Sequence, residues 1–373
     1  MKDLGKLHYF LGIQIQYHEG GMFLSQQKYA EDLLAVAGMS TCASVATPLP
    51  QQLKRKSPQS GNSAPPSHST PFANPKYFRS LAGRLQYLTL TRPDLQFSVN
   101  YVCQKMHDHT VSDFNLLKRI LRYIKGTSTM GISFDRYSDS KLTAYSDSDY
   151  AGCEKSSRST GGFCTFLGRN MISWSSRKQD TVSKSSTEAE YRAMSEATSE
   201  ITWFVNLLQD LGMQTTATPE LFCDNLSAVY LTANPSFHSR TKHFATHYHY
   251  IREQVAFGNI IVNHISADFQ IADIFTKSLP QRPFELLRLK LGVDLPPTPS
   301  LRGSVKNRDQ NDVALQKGLL GPRPNTFPKP IPAQRLPVKH DKEKRKPTPS
   351  DCTTMTTKNR FAALESCGDN EST

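Results

Sequence analysis

Four acidic side chains occupy positions from which a folded chain could gather them: Asp147, Glu190, Asp224 and Asp273. Leu142-Thr143-Ala144-Tyr145-Ser146 is strand-like and ends at Asp147, and Glu220-Leu221-Phe222-Cys223 is a later strand that ends at Asp224. Glu190 falls in the first turn of a long helical pattern over 187–211, and Asp273 opens a last helix over 270–277. Strand carboxyl ends and helix N-termini are where ligand sites collect in α/β proteins. Carboxylates brought together there repel one another unless hard cations neutralise them, and Mg²⁺ prefers oxygen ligands. Two such ions about 4 Å apart activate a water and stabilise the leaving oxygen in phosphodiester cleavage. No Ser–His–Asp or Cys–His arrangement competes, and there is no phosphate-binding glycine loop.

Two acids rival members of this quartet. Asp149 shares a strand face with Asp147, and Glu188 lies one residue from Ala189 and two from Glu190. An isolated Asp or Glu is usually a solvated charge or a cap, and Asp273 alone would read as an N-cap. A histidine cluster offers different chemistry: His243 and His247 are at i,i+4, with His238 and His249 nearby. Helical i,i+4 histidines can share zinc. The preferred reading is a solvated basic face that, with Arg240 and Lys242, contacts backbone phosphates. Lys118, Arg119, Arg122 and Lys125 form a basic stripe, equally readable as ordinary helix amphipathicity or a nucleic-acid surface. Tyr123 and Trp174 could stack on bases, but aromatics of this kind are more often core.

The elements that must position these residues follow from periodicity. Residues 7–17 alternate as a strand, His18-Glu19-Gly20-Gly21 turns, and Met22-Phe23-Leu24 returns. Ser25 is the expected N-cap of a helix ending near Gly38. Residues 47–75, rich in Pro, Ser, Gln and Asn, read as a flexible linker. Helical spacing resumes at Pro75, again over 94–106, and from Ser112 to Gly126. From Lys141 onward come strands at 142–146, 163–167, 171–174, 220–223 and 260–264, with helices over 187–211, from Leu226 and over about 241–257. That sequence of elements is a mixed α/β domain. Beyond residue 295 the pattern fails, and residues 296–349 hold eleven of the 23 prolines, which reads as a disordered tail.

With 37% hydrophobic and 21% charged residues, the 373-residue chain can bury a core, and its length suggests two domains and a tail. No run of 18 apolar residues occurs, so no membrane span is expected. The first six residues lack the apolar core of a secretory signal. Seven scattered cysteines, with no CxxC pair, fit a reducing compartment. The net charge of +12 points to polyanions, but residues 302–346 alone carry twelve Lys/Arg against four Asp/Glu, an excess of 12 − 4 = 8. The cluster Lys339-His340-Asp341-Lys342-Glu343-Lys344-Arg345-Lys346 reads as a solvated run before it reads as a nuclear-import patch.

Several motifs, in order, carry a resemblance. They are Met1-Lys2-Asp3-Leu4-Gly5, Tyr9-Phe10-Leu11-Gly12-Ile13, Thr91-Arg92-Pro93-Asp94, and Lys118-Arg119-Ile120-Leu121-Arg122-Tyr123-Ile124-Lys125-Gly126-Thr127. They continue with Tyr145-Ser146-Asp147-Ser148-Asp149-Tyr150-Ala151-Gly152, Ser185-Ser186-Thr187-Glu188-Ala189-Glu190-Tyr191, and Ala272-Asp273-Ile274-Phe275-Thr276-Lys277. Over residues 2–306 the chain resembles the C-terminal part of a copia-type retrotransposon Pol polyprotein, across the end of reverse transcriptase and its ribonuclease H domain. The resemblance implies an α/β fold with a ribonuclease H-like mixed five-stranded sheet and helices. Partial reverse-transcriptase palm, thumb and connection elements would precede it, and a disordered tail would follow. It implies a palm hairpin and thumb helix over 1–46, a linker over 47–75, connection-like helices over 76–140, the ribonuclease H-like domain over 141–294, and the tail over 295–373.

The same resemblance makes Asp147, Glu190, Asp224 and Asp273 catalytic metal ligands for two Mg²⁺ ions, with Mn²⁺ as a substitute. It makes His264 the histidine that assists product release or proton transfer. Acidic family positions matching Ala245 and His247 turn His247 into a drift substitution more readily than a ligand. The implied substrate is an RNA–DNA hybrid; other retroelement Pol or Gag products are implied partners, and a cytoplasmic particle or the nucleus is the implied location. The sequence holds no Asp-Asp dipeptide of the polymerase kind, so no DNA synthesis is expected from it. Residues 1–46 are then expected to be poorly anchored. The alternative to an active nuclease is a transposon relic that folds, and binds nucleic acid, without turnover.

Overall fold

The computed structural model describes residues 5–51, 53, 70–213, 215, 217–233 and 245–297. These all fall within one compact unit, residues 1–308. Strand β1 (Tyr9–Phe10) and β2 (Ile13–His18) replace the single strand that alternation predicts over 7–17. The break is at Leu11 and Gly12, both left-handed, with φ of 46° and 70°. Two consecutive left-handed residues make the tight turn that suits strand twist, and Phe10 pairs with Ile13 across it. The Tyr87 hydroxyl donates to the Leu11 carbonyl. Strand β3 (Gly21–Ser25) follows a second turn. At Gly21 a Cβ would meet the Phe134 carbonyl oxygen at 1.9 Å, so only glycine fits.

Helix α1 (Gln27–Val36) starts one residue later than expected. Ser25 is still β3, and Gln26 takes the cap position without a side-chain cap. Helix α2 (Pro75–Leu88) has the Asn74 side chain accepting from the Tyr77 N–H. After a 3-10 turn at Pro93–Leu95 come α3 (Gln96–Cys103) and α4 (Val111–Thr127), the latter opened by a capping box between Thr110 and Asp113. Strand β4 (Gly131–Asp135), absent from the sequence reading, pairs antiparallel with all of β3.

This pairing corrects the expectation that residues 1–46 are poorly anchored. Phe23 is buried, and Ala30, Leu33 and Leu34 lie in the same apolar cluster as Leu81, Leu85, Leu117 and Ile120. Residues 5–11 and the outer part of β2 stay exposed, as does the solvent side of α1. The expected linker also begins with packed residues: Thr47, Pro48 and Leu49 are buried. Arg119 donates to the Thr47 hydroxyl and Arg122 to the Ala43 carbonyl, so half of the basic stripe is structural. Lys118 lies over the Phe114 ring. Residues 52 and 54–69 lie outside the described residues.

The Arg92–Asp94 stretch is structural as well. The Arg92 guanidinium donates to both Asp94 oxygens (2.9 and 2.7 Å) and to the Thr127 carbonyl and hydroxyl. Tyr123 donates to the same Asp94 carboxylate, so this aromatic is core and not a stacking platform. Trp174 is partly buried against the first cluster.

The second sheet comprises β5 (Leu142–Asp149), β6 (Thr160–Leu167), β7 (Asn170–Lys178), then β8 (Glu220–Cys223) after helix α5 (Ser186–Asp210). Helices α6 (Leu226–Ala233) and α7 (Ala245–Ala256) precede β9 (Ile261–His264). The strand order is β7-β6-β5-β8-β9, with β6 antiparallel to its neighbours and β5, β8 and β9 parallel. This is the ribonuclease H-like mixed five-stranded sheet that the sequence leads one to expect. One face packs on α5 and α7 through Ala144, Phe163, Tyr191, Met194, Ile201, Leu221 and Tyr248. The other carries Cys164, Phe166 and Met171 into the cluster shared with α2, α3 and α4.

The end of the described chain differs from expectation. Residues 270–277 form only a 3-10 turn at Ile271–Phe275, whose first turn is tied by the Ala272 N–H donating to the Gln270 side chain. The last helix is α8 (Gln281–Lys290). Strand β10 (Val293–Asp294) then pairs with β4, closing the first sheet in the order β1-β2-β3-β4-β10. Among the described residues no helix is long and apolar enough to cross a membrane. The expected tail, beyond residue 297, lies outside them.

Candidate metal centre

Parallel pairing of β5 with β8 sets the site. Tyr145 is opposite Phe222, so two residues further on Asp147 and Asp224 emerge side by side at the same sheet edge. Asp147 is an interior residue of β5 and not its last, and it is 1% exposed. Asp273 arrives on the 3-10 turn, which Gln270 holds in place. The Gln270 side chain accepts from the Ala272 N–H and donates to the Ser146 carbonyl of β5. Gly162 on β6 makes room for the turn: a Cβ there would stand 2.7 Å from the Phe275 Cβ.

Carboxylate oxygens of Asp147, Asp224 and Asp273 all lie within 4.8 Å of one another. Glu190 and the Cys223 thiol form a second such group with Asp224. Glu190 lies one residue further into α5 than expected, just past its first turn, and its carboxylate accepts the Ser148 N–H at 3.1 Å. The rivals lie elsewhere. Glu188 is in the first turn, accepts the Lys184 N–H and pairs with Arg192 at 2.8 Å. Asp149 turns its carboxylate to Gly152, where a Cβ would meet Oδ2 at 2.0 Å.

The electrostatics are those of crowded like charges. Burial, then the charges of Asp147 and Asp224, lift the Glu190 carboxyl well above its usual range. Burial and Asp147 push Asp273 up to about 6, against the opposing pull of Lys277. Asp224 is raised for the same first two reasons. Among the described residues one lysine bonds to them. Lys277 Nζ stands 2.8 Å from Asp273 Oδ1 and 3.2 Å from Asp147 Oδ1. Burial disfavours its ammonium, but Asp147 and Asp273 outweigh that and hold its pKa above the usual lysine value. The Thr276 hydroxyl donates to Asp147 Oδ2.

Four carboxylates against one ammonium leave net negative charge, and the donors are oxygen apart from Cys223. Burial, then Glu190, raises that thiol, which keeps it protonated and a poor ligand. The residues therefore fit a hard divalent cation.

His264, last in β9, stands beside the cluster with Nε2 3.1 Å from the Asp224 carbonyl. Of the histidine cluster, His238 and His243 lie outside the described residues, as do Arg240 and Lys242. His247 Nδ1 is 3.0 Å from the Ser195 hydroxyl, and burial, then Arg192, lowers its pKa. No histidine joins a possible metal group among the described residues. Sequence reasoning missed Lys277, Thr276, Gln270 and Cys223. The i,i+4 spacing of Asp273 and Lys277 was the available signal for the first.

No protein-family model matches the chain. It is 44% identical over 299 residues to the retrovirus-related Pol polyprotein of transposon RE2 from Arabidopsis thaliana, which covers 80% of this chain and 20% of that protein. The chain thus spans about a fifth of the length of that relative. It is 54% identical over 203 residues to an uncharacterised mitochondrial protein of Arabidopsis thaliana, covering 54% of this chain and 80% of that one. Among solved structures, a ribonuclease H1 isolated from compost is similar over 37% of this chain and 93% of its own, at 19% identity and a TM-score of 0.30. That last likeness is too slight to add to the strand order already described. The chain belongs to the copia-type retrotransposon Pol polyprotein family.

Proposed function

We propose that the 141–294 region is a ribonuclease H-type endonuclease that hydrolyses the RNA strand of RNA–DNA hybrids with the help of Mg²⁺. The observation that carries this reading is the convergence of Asp147, Asp224 and Asp273 within 4.8 Å, with Glu190 in the overlapping group on Asp224. These four acids would hold two Mg²⁺ ions, or Mn²⁺ in their place. Bound there, such ions supply activation of a water and charge stabilisation at the leaving oxygen. The chain's own residues do the rest. Ser148 N–H orients Glu190, Gln270 fixes the turn that presents Asp273, and Thr276 orients Asp147. His264, at the exposed rim beside Asp224, receives and returns protons as product leaves. Shape and 2′-hydroxyl contacts select RNA over DNA. With no Asp-Asp dipeptide in the sequence, we assign it no polymerisation step.

A second reading, a fold retained without turnover, draws on Lys277, whose ammonium already partly neutralises two of the acids. A hybrid-cleavage assay with Mg²⁺, run on the purified chain beside Asp224→Asn, separates the two. RNA-strand cleavage by the first and not the second is expected. Equal activity in both refutes the assignment, and folded protein inactive in both supports the relic.

A further inference from the structure

Lys277 is the sole cation bonded to the acidic centre among the described residues, and its place is unusual. The turn Asp273–Lys277 is closed by a Lys277 N–H bond to the Asp273 carbonyl at 3.0 Å, which sets both side chains on the same side. The ammonium then bridges two carboxylates that belong to different elements, Asp147 of β5 and Asp273 of the turn. Both are in the group of acids whose oxygens lie within 4.8 Å of one another. A lysine ammonium is a compact point charge on a flexible stem, which suits it to both holding and leaving such a place. The side chain is 37% exposed, so a path outward exists. Thr276 occupies the other Asp147 oxygen, leaving Oδ1 as the one shared with Lys277.

We propose that Lys277 is a built-in counter-cation that competes with divalent metal for Asp147 Oδ1 and Asp273 Oδ1. It keeps the acids gathered on one turn and one strand, and it swings outward when a metal takes the two oxygens. This rests on the reading of the acids as a cation site. Lys277 is therefore a positioning residue, and it weakens metal affinity. A lysine that merely supported the fold would have the opposite effect, because its loss would loosen the site.

The test is isothermal titration of the EDTA-stripped full chain with Mg²⁺ and with Mn²⁺. Wild type, Lys277→Met, Lys277→Gln, Lys277→Arg and Asp224→Asn are compared, with melting curves to show that each is folded. Competition predicts that the Met and Gln variants bind metal about tenfold more tightly, equivalent to about 1.4 kcal/mol, and that Arg stays near wild type. Unchanged or weaker binding in both neutral variants, with binding still lost in Asp224→Asn, overturns the competition and leaves the metal site standing. Absence of saturable binding in every protein overturns both. If one neutral variant does not fold, the other decides.

Discussion

Replacing Glu190 by Gln should make the protein more stable in EDTA while removing its proposed activity. Glu190 is buried, lies in one group with Asp224 within 4.8 Å, and has its carboxyl raised by burial and by Asp147 and Asp224. Two unit charges that far apart repel by about 3.5 kcal/mol at an effective dielectric near 20. Part of this is relieved by proton uptake, so the expected gain at about pH 8 is about 1–3 kcal/mol. At about 2–4 °C per kcal/mol for a chain of this size, the melting temperature rises by several degrees. The amide oxygen preserves the acceptor for the Ser148 N–H, and only the long Cys223 thiol contact to the other carboxylate oxygen, at 3.8 Å, is given up. The sign with pH is fixed. A carboxyl whose folded pKa is raised favours folding below its unfolded value and loses that contribution as pH rises through the folded one. The advantage of Gln over Glu therefore grows from about pH 4.5 upward and vanishes in acid. Urea unfolding of both proteins across this range, with EDTA and then with Mg²⁺, is the assay. A variant less stable than wild type in EDTA at about pH 8 would refute the account of a site held under charge repulsion.

Asp94→Ala strands the buried Arg92 guanidinium, and its removal should cost about 3–5 kcal/mol in urea unfolding; a loss under about 1 kcal/mol would show the pair to be dispensable. Burial alone would raise the Cys153 thiol, but hydrogen bonds from Ser156 and Lys178 bring it down to about 7. Its iodoacetamide labelling should be half-maximal near pH 7, and Lys178→Met should move that midpoint upward. Burial holds Cys103 at about 11, so it should label far more slowly. Peptide mass spectrometry reads both, and equal rates would contradict the assignment. Gly162→Ala forces a methyl against Phe275 and Thr276. It should cost about 1–3 kcal/mol and weaken Mn²⁺-induced stabilisation by displacing Asp273; a variant with wild-type metal response would mean that the turn is not held by this contact.

What was legible in the sequence was whatever local pattern dictates. Glu220–Cys223 reads as a strand because its neighbours break it on both sides, and α4 reads as a helix from its leucine and isoleucine spacing. The acids were legible as members of motifs. Their mutual distances were not, because those depend on the Tyr145–Phe222 register of strands far apart in the chain. Strands β4 and β10, of five and two residues, carry too little pattern to stand out and exist through pairing with remote partners. The choice between Glu188 and Glu190 turned on helix phase: one faces Arg192 and the cap, the other faces the sheet edge. Lys277 escaped notice because a lysine beside acids reads as a surface charge until the turn that carries it is seen to face inward.

The pairing of Ile132 with Val293 also bears on how the chain is made. On the ribosome the hairpin, α1 to α4 and β4 emerge before the second sheet, and their own sheet lacks its final strand until that later region has been translated. Contacts so distant in sequence are slow to form, because a long loop must close before they contribute. The early part of the nascent chain therefore waits, with β4 as a bare edge open to stray pairing. Completion of the first sheet and delivery of Asp273 to the other acids fall in the same late interval of synthesis, which ties the appearance of the acidic cluster to the moment the first sheet closes.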